Sequence, residues 1–240
     1  MSLLRAGCCV IALIYALGVN AVWSFATPLS VLVRDQGTIT ANDKVFSNFT
    51  ILNSSVTNGG AADTGLIDIT PLTNDPLDPG LDYSAPLDAL GTPFGHDGPS
   101  SAFLSFSFDV QTMNQRPLIK DNTLRLTNFT FDAGPAAFIL ASEDLTNASA
   151  VPIGHKLTLA QSGQTPGSSP NHFDEANFSP TNFVHVVTTI SIQGPNDNDG
   201  AFLTGFQQRF SEVVPEPSGI ATAALAIGAI AVLMRRRYSF

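Results

Sequence analysis

The decapeptide Ser101–Val110, SAFLSFSFDV, alternates apolar and polar side chains along its length. Every even position is apolar, whereas four of the five odd positions carry serine or aspartate. A period of two places successive side chains on opposite faces of a strand, so one face is buried and the other faces water. The decapeptide therefore predicts a β-strand that covers a hydrophobic core.

Short β-strands are predicted for most of the chain between its two terminal segments. Glycine and proline interrupt the sequence every ten to fifteen residues, and no long stretch there has helical spacing. In the run 183–193, for example, the even-numbered residues from Val184 to Ile192 would share one face. We predict an all-β body, an antiparallel β-sandwich of jelly-roll-like type over 27–212, with a core rich in phenylalanine. Its strands are expected near 37–41, 44–53, 101–110, 123–131, 136–142, 155–160, 182–193 and 201–210.

Two connections in this body are unusually long. The first, 68–100, has many prolines and aspartates and little periodicity, and the second, 161–180, is rich in serine, glycine, proline and asparagine. Loops of such length are uncommon in compact domains. We interpret 68–100 as either a packed surface excursion or a binding loop.

The N-terminal segment 1–26 has the layout of a Sec signal peptide, with one early arginine, an apolar run and small residues before Ala26. We expect a helical signal segment, recognition by the Sec translocon and cleavage by signal peptidase after Ala26, with Ala21 as the alternative. Both cysteines, Cys8 and Cys9, lie inside this segment. The mature protein is therefore expected to lack disulfides, thiolate catalysis and cysteine-bound metals.

The C-terminal segment 213–240 has three consecutive parts. Pro215, Glu216 and Pro217 can continue neither a strand nor a helix, and Ser218–Met234 is an apolar run predicted to form a transmembrane helix. Arg235, Arg236 and Arg237 follow it. By the positive-inside rule these arginines stay in the cytoplasm, which leaves the body on the outer side of the membrane.

This arrangement resembles the PEP-CTERM sorting signal of Gram-negative bacteria that produce exopolysaccharide. The resemblance implies processing near residues 215–217 by an exosortase, an integral membrane enzyme, and delivery of the body from the inner membrane to the cell surface or the extracellular matrix. The segments Asp43–Phe49, DKVFSNF, and Phe206–Glu212, FQQRFSE, are similar to those of a recurrent PEP-CTERM protein type with a β-rich body of unassigned function.

The charge of the body excludes one class of partner. Residues 27–215 carry seven basic and nineteen acidic side chains, a net charge of −12. Such a surface repels phosphate backbones, so we expect no nucleic-acid binding.

Sequence motifs for catalysis are absent. The four histidines form neither a His-Glu-x-x-His nor a His-x-His pattern, and there is no Gly-x-Ser-x-Gly, Ser-x-x-Lys or phosphate-binding loop. A glycosidase needs two carboxylates across a cleft, and nineteen candidate acids single out no pair. We therefore expect a protein that is not an enzyme and has no cofactor, and a secreted hydrolase is a third hypothesis.

The segment Asn196–Gly200, NDNDG, offers a calcium alternative through Asp197 and Asp199. A β-hairpin turn between strands ending near Gln193 and starting near Ala201 explains the same residues more simply. A second possible calcium locus consists of Asp75, Asp78, Asp82 and Asp97. The leading hypothesis is a non-enzymatic, surface or matrix-associated protein with exopolysaccharide as a possible partner, and the alternative is a module that binds calcium or carbohydrate.

Overall fold

The computed structural model describes residues 25–90, 99–115, 117–132, 134, 136–196 and 199–213. One α-helix, α1 (Leu29–Asp35), and two short 3-10 helices, Met113–Gln115 and Pro170–His172, accompany the strands. The strands are β1 (Thr27–Pro28), β2 (Ile39–Ala41), β3 (Lys44–Thr57), β4 (Asp68–Leu72), β5 (Gly80–Leu90), β6 (Ser100–Thr112), β7 (Leu118–Phe131), β8 (Phe138–Thr146), β9 (Pro152–Gln161), β10 (Phe173–Thr181), β11 (Phe183–Gly194), β12 (Gly200–Arg209) and β13 (Glu212–Val213).

These strands form two antiparallel sheets. Sheet A has the order β1-β4-β5-β12-β7-β10, with β13 also paired to β7, and sheet B has the order β2-β3-β6-β11-β8-β9. The sheets pack face to face, since the Tyr83 ring on sheet A lies 5.7 Å from the Phe106 ring on sheet B. The predicted all-β body with two antiparallel sheets is confirmed, whereas its jelly-roll-like character stays a prediction.

The alternation in β6 and β11 behaves as predicted on the core side. The five even-numbered residues of 102–110 and of 184–192 are all buried. On the opposite face of β6, however, Ser105 and Ser107 are also nearly buried, because both flanking strands of sheet B cover these small side chains. The Ser105 hydroxyl lies 3.1 Å from the Thr189 hydroxyl across the β6–β11 pair.

The segment 68–100 is not a single long loop, which corrects one prediction. It contains β4 and β5, and residues 91–98 lie outside the described part of the chain. Two prolines fit within these strands. Pro71 lies in β4 beyond the residues that pair with β1, and Pro86 lies in β5 where the β5–β12 register shifts. The segment 161–180 likewise contains a strand, β10, at the edge of sheet A.

The connection 194–200 is also different from the predicted hairpin. β11 belongs to sheet B and β12 belongs to sheet A, so the connection crosses from one sheet to the other. The crossing is tight at Gly194, where an added Cβ atom would lie 2.2 Å from the Asp199 carbonyl oxygen. Only glycine fits this approach.

Helix α1 is the regular element that the sequence analysis missed. Its seven residues bury Leu29 and Leu32 and end at Gln36, whose φ of 49° is left-handed. The Leu29 amide donates to the Ile67 carbonyl oxygen at 2.8 Å, which fastens the helix start to the segment before β4. None of the described helices has the length and hydropathy of a membrane span. The predicted signal peptide, except for residues 25 and 26, and the tail 214–240 lie outside the described residues.

Candidate functional site

A groove of about 860 Å³ lies on the outer face of sheet A. Its floor is formed by β12, β7 and β10, and one wall is formed by the connection between β4 and β5. We call this surface the sheet A groove. Its position follows from strand alternation, because the side chains of these three strands that point away from the core form its floor.

The register of the three strands arranges the floor in two rows. In both rows a residue of β7 lies between one residue of β10 and one of β12. The first row is therefore Phe173, Arg125 and Gln207, and the second row is Glu175, Thr123 and Arg209. Directly opposed residues in antiparallel strands have Cβ atoms about 5 Å apart, so each row acts as one local surface.

The first row combines an aromatic ring with two groups that form several hydrogen bonds. Phe173 is 45% exposed, because it lies on the outer face of the edge strand β10, whereas Ala176 on the inner face is buried. Arg125 is exposed, and its side chain makes no hydrogen bond or ion pair with any described residue. An exposed aromatic ring beside a free guanidinium and an amide offers an apolar plane together with directional donors and acceptors.

The wall of the groove is held in place by Arg209. Its Nη1 donates to the Asp78 carbonyl oxygen at 2.9 Å, and its Nη2 donates to the Asn74 Oδ1 at 3.2 Å. The Leu77 amide donates to the Asp75 Oδ1 at 3.0 Å within the same connection. The wall is therefore attached to the floor by a side chain of β12 and has a fixed shape.

Burial raises the pKa of the Asp78 carboxyl, and the nearby Arg209 guanidinium opposes that shift. Its Oδ1 atom is buried without a hydrogen-bond partner among the described residues. At the end of the groove, the Lys120 ammonium lies 3.3 Å from the Asp121 carboxylate, which also accepts a hydrogen bond from the Ser211 hydroxyl. The groove is thus strongly polar and carries charges of both signs.

The structure places the residues of the calcium hypotheses as follows. Asp199 is fully buried, and its Oδ2 accepts hydrogen bonds from the amide and side chain of Asn196 at 3.0 and 2.7 Å. Its Oδ1 accepts from the Ala136 amide at 3.4 Å, so both oxygens are used within the protein. Asp197 and Asp97 lie outside the described residues, while Asp75 and Asp78 lie in the wall of the sheet A groove. Among the described residues, no group of three or more His, Cys, Asp or Glu side chains is arranged to hold a metal ion.

The sequence analysis missed the residues of the groove floor. Phe173, Glu175 and Asn177 are exposed, whereas Ala176 is buried, as expected of a half-buried strand. The sequence 173–177 shows no apolar alternation, because apolar Phe173 lies on the exposed face and polar Asp174 on the other face, so no local signal identifies this strand. The sorting residues Pro215, Glu216, Pro217, Arg235, Arg236 and Arg237 lie outside the described residues.

Comparison with known proteins gives only distant structural matches. No family model matches the chain, and no curated protein is similar to it. Among solved structures, the carbohydrate-binding module TmCBM27, described as recognising mannan, is 10% identical with a TM-score of 0.32, over 70% of this chain and 99% of that one. TmCBM61, solved with β-1,4-galactotriose, is 11% identical with a TM-score of 0.25, over 67% and 90%. A DUF4465 family protein from Bacteroides caccae is 9% identical with a TM-score of 0.26, over 69% and 100%. These low values transfer no activity or ligand to this chain.

Proposed function

We propose that this protein is an exported, non-enzymatic surface or matrix protein whose β-sandwich binds carbohydrate in the sheet A groove. The observation that carries the binding proposal is the row of Phe173, Arg125 and Gln207 on an open, polar floor. A sugar ring has apolar C–H faces and a rim of hydroxyl groups. It is therefore complementary to an aromatic plane flanked by side chains that donate and accept hydrogen bonds.

The charge of the body favours a neutral polysaccharide. The net charge of −12 over 27–215 repels polyanions such as polyuronates. Within the groove, five carboxyl side chains accompany only three cationic ones, so the local charge has the same sign as the whole body. A neutral chain of hexoses avoids this repulsion and can still use the exposed carboxylates as hydrogen-bond acceptors.

The binding test compares the mature protein with two groove variants, Phe173→Ala and Arg125→Ala. We expect retention of the wild-type protein in native gels that contain a neutral polysaccharide such as a mannan, galactan or glucan. Each variant should bind at least about tenfold more weakly, which corresponds to about 1.4 kcal/mol. Leu157→Ala is the matched control, because Leu157 is a 50% exposed apolar residue on β9, outside the groove.

Two results would contradict the binding proposal. One is the absence of retention by every neutral polysaccharide tested. The other is retention that Phe173→Ala and Arg125→Ala leave unchanged. Stronger retention by a polyuronate would contradict the preference for a neutral ligand.

The sorting proposal rests on the sequence of the two ends. The signal segment 1–26 directs export, and the tail 213–240 is processed by an exosortase-type enzyme near residues 215–217. The test replaces Pro215, Glu216 and Pro217 with alanine and compares intact mass and cell fraction with the wild type. Loss of the apolar segment 218–234 and release from the inner membrane only in the wild type supports sorting, whereas retention of both forms in the membrane contradicts it.

Hydrolysis is the second candidate function, favoured by two carboxyls of raised pKa in the same groove. Burial raises the pKa of both Asp78 and Glu212. Each carboxyl, however, has a cationic partner, Arg209 for Asp78 and Lys44 for Glu212. Binding is therefore favoured over catalysis. Release of new reducing ends from a retained polysaccharide, abolished in Asp78→Asn, would reverse this preference.

A further inference from the structure

The lysines of the chain have an unusual distribution. Only three are present, and two of them, Lys44 and Lys156, are completely buried, whereas Lys120 is exposed. Each buried lysine contacts a buried glutamate, Glu212 for Lys44 and Glu143 for Lys156. Burying an ammonium group costs desolvation free energy, so we asked what chemical role each of the two buried lysines has.

Lys44 differs from Lys156 in having two carboxyl groups within contact distance. Its Nζ lies 2.8 and 2.9 Å from the two carboxylate oxygens of Asp43. The same Nζ contacts Oε1 of Glu212, which is 168 residues away along the chain. Lys44 begins β3, and Glu212 begins β13, so the cluster joins the first long strand of the body to its last strand.

The cluster lies above an apolar floor. Phe46 lies two residues after Lys44 on the same buried face of β3, Phe210 lies two residues before Glu212 between β12 and β13, and their rings are 5.6 Å apart. Phe108 packs against both rings at 6.1 and 6.4 Å. This burial raises the pKa of the Glu212 carboxyl, and a carboxyl–carboxyl interaction with Asp43 raises it further. The Lys44 ammonium opposes this shift, so Glu212 combines a raised pKa with direct contact to an amine.

We propose that Lys44 and Glu212 form an intramolecular amide bond, with Asp43 as the proton carrier. Asp43 takes a proton from the ammonium group, and the resulting neutral Nζ attacks the Cδ carbon of the protonated Glu212 carboxyl. The C–N bond forms, the C–OH bond breaks, and the proton carried by Asp43 leaves with the hydroxyl group as water. Asp43 then takes the second proton, which the new amide nitrogen loses, and releases it to solvent through its partly exposed carboxylate. Asp43 ends the reaction in its original state, and no oxidant, reductant or other reactant is needed.

The second buried pair lacks the proton carrier. Lys156 Nζ lies 2.5 Å from Glu143 Oε2, and no other carboxylate is in contact with it among the described residues. The other oxygen of Glu143 accepts a hydrogen bond from the Gln208 amide. Lys156 and Glu143 therefore stay a non-covalent pair, and this pair provides an internal control.

The experiment is mass spectrometry of the folded, then denatured, full-length or mature protein. One amide bond lowers the mass by about 18 Da, the mass of one water. Cleavage before aspartate should also recover Asp43–Ala62 covalently joined to the fragment that begins at Asp199. This linked fragment identifies the bond directly and does not depend on the carbohydrate proposal.

Three variants complete the test. Lys44→Arg and Asp43→Asn should restore the full mass, and Lys156→Arg should keep the deficit of about 18 Da. A wild-type protein of full mass without the linked fragment overturns the proposal, whether or not the variants fold. A deficit that persists in Lys44→Arg shows a different dehydration and also overturns it, while a deficit in Asp43→Asn removes the role assigned to Asp43.

Discussion

Removal of the buried Lys156–Glu143 pair tests how the interior of the sandwich tolerates charge. Both side chains are completely buried, on neighbouring positions of β9 and β8. The Gln208 amide donates to Glu143 and, at 2.7 Å, to the Thr188 hydroxyl, and the Tyr83 hydroxyl donates to Gln208 Oε1 at 2.7 Å. Burial lowers the pKa of Lys156 and raises that of Glu143, which shows the cost of keeping both charged.

The expected magnitudes differ sharply between single and double replacements. Glu143→Leu leaves the Lys156 ammonium buried without a partner, and this change should cost about 3–5 kcal/mol of unfolding free energy. Lys156→Met leaves the Glu143 carboxylate with only neutral donors and should cost a similar amount. The double variant removes both charges and keeps the Gln208–Thr188 hydrogen bond. One hydrogen of the buried Gln208 amide loses its acceptor, which costs about 1–3 kcal/mol, so we expect the double variant to be within about 3 kcal/mol of the wild type and far more stable than the sum of the single variants.

Urea unfolding monitored by circular dichroism measures all four proteins of this cycle. Thermal unfolding should give a parallel result, with each single replacement lowering the Tm by roughly 6–20 °C for a body of this size. Leu157→Met, on the exposed face of β9, is the matched control and should change little. A double variant as unstable as the sum of its single variants would refute this account of the pair.

Three further predictions concern the same body. The unfolding free energy should fall as the pH rises from about 4 towards neutrality, because the folded state binds protons more tightly at carboxyls whose pKa burial raises. Urea unfolding at pH 5 and 7 checks the sign, and the lowered pKa of His172 acts in the opposite direction. These carboxyls are Asp78, Asp88 and Glu143. Tyr83→Phe should cost about 1–3 kcal/mol, since it leaves the buried Gln208 Oε1 without its donor, and an unchanged urea midpoint would contradict this. Asp199→Ala should lower the Tm equally with and without millimolar Ca²⁺, because the Asp199 carboxylate accepts the hydrogen bonds from Asn196 that hold the β11–β12 connection. Stabilisation by Ca²⁺ only in the wild type would restore the calcium hypothesis.

The sequence predicts best where one strand face is apolar and the other polar. β6 and β11 satisfy this condition, and their core residues were identified from alternation alone. β4 and β5 do not, because Pro71 and Pro86 indicate a loop when neighbouring strands are unknown. A proline interrupts the hydrogen bonds between two strands only where a neighbouring strand needs its missing amide N–H. The neighbouring strand is determined by the tertiary fold, not by the local sequence.

The candidate site was less predictable for the same reason. Phe173, Arg125 and Gln207 are far apart along the chain and become neighbours only through the register of β10, β7 and β12. The burial of Lys44 and Lys156 is equally hidden, because a lysine within a strand is ordinarily exposed. Local alternation predicts which face of a strand is buried, whereas a binding site also depends on which strands become neighbours in the fold.

The order of strands along the chain has a consequence for the timing of folding. β11 and β12 are interior strands of sheets B and A, each with a partner on both sides, and both lie after residue 182. A nascent chain that ends before them can form only the separate groups β2-β3-β6 and β8-β9 of sheet B and β1-β4-β5 and β7-β10 of sheet A, so neither sheet is complete. Long-range strand pairing is also slow. The chain should therefore reach its native two-sheet arrangement only after Arg209, the last residue of β12, has been synthesised.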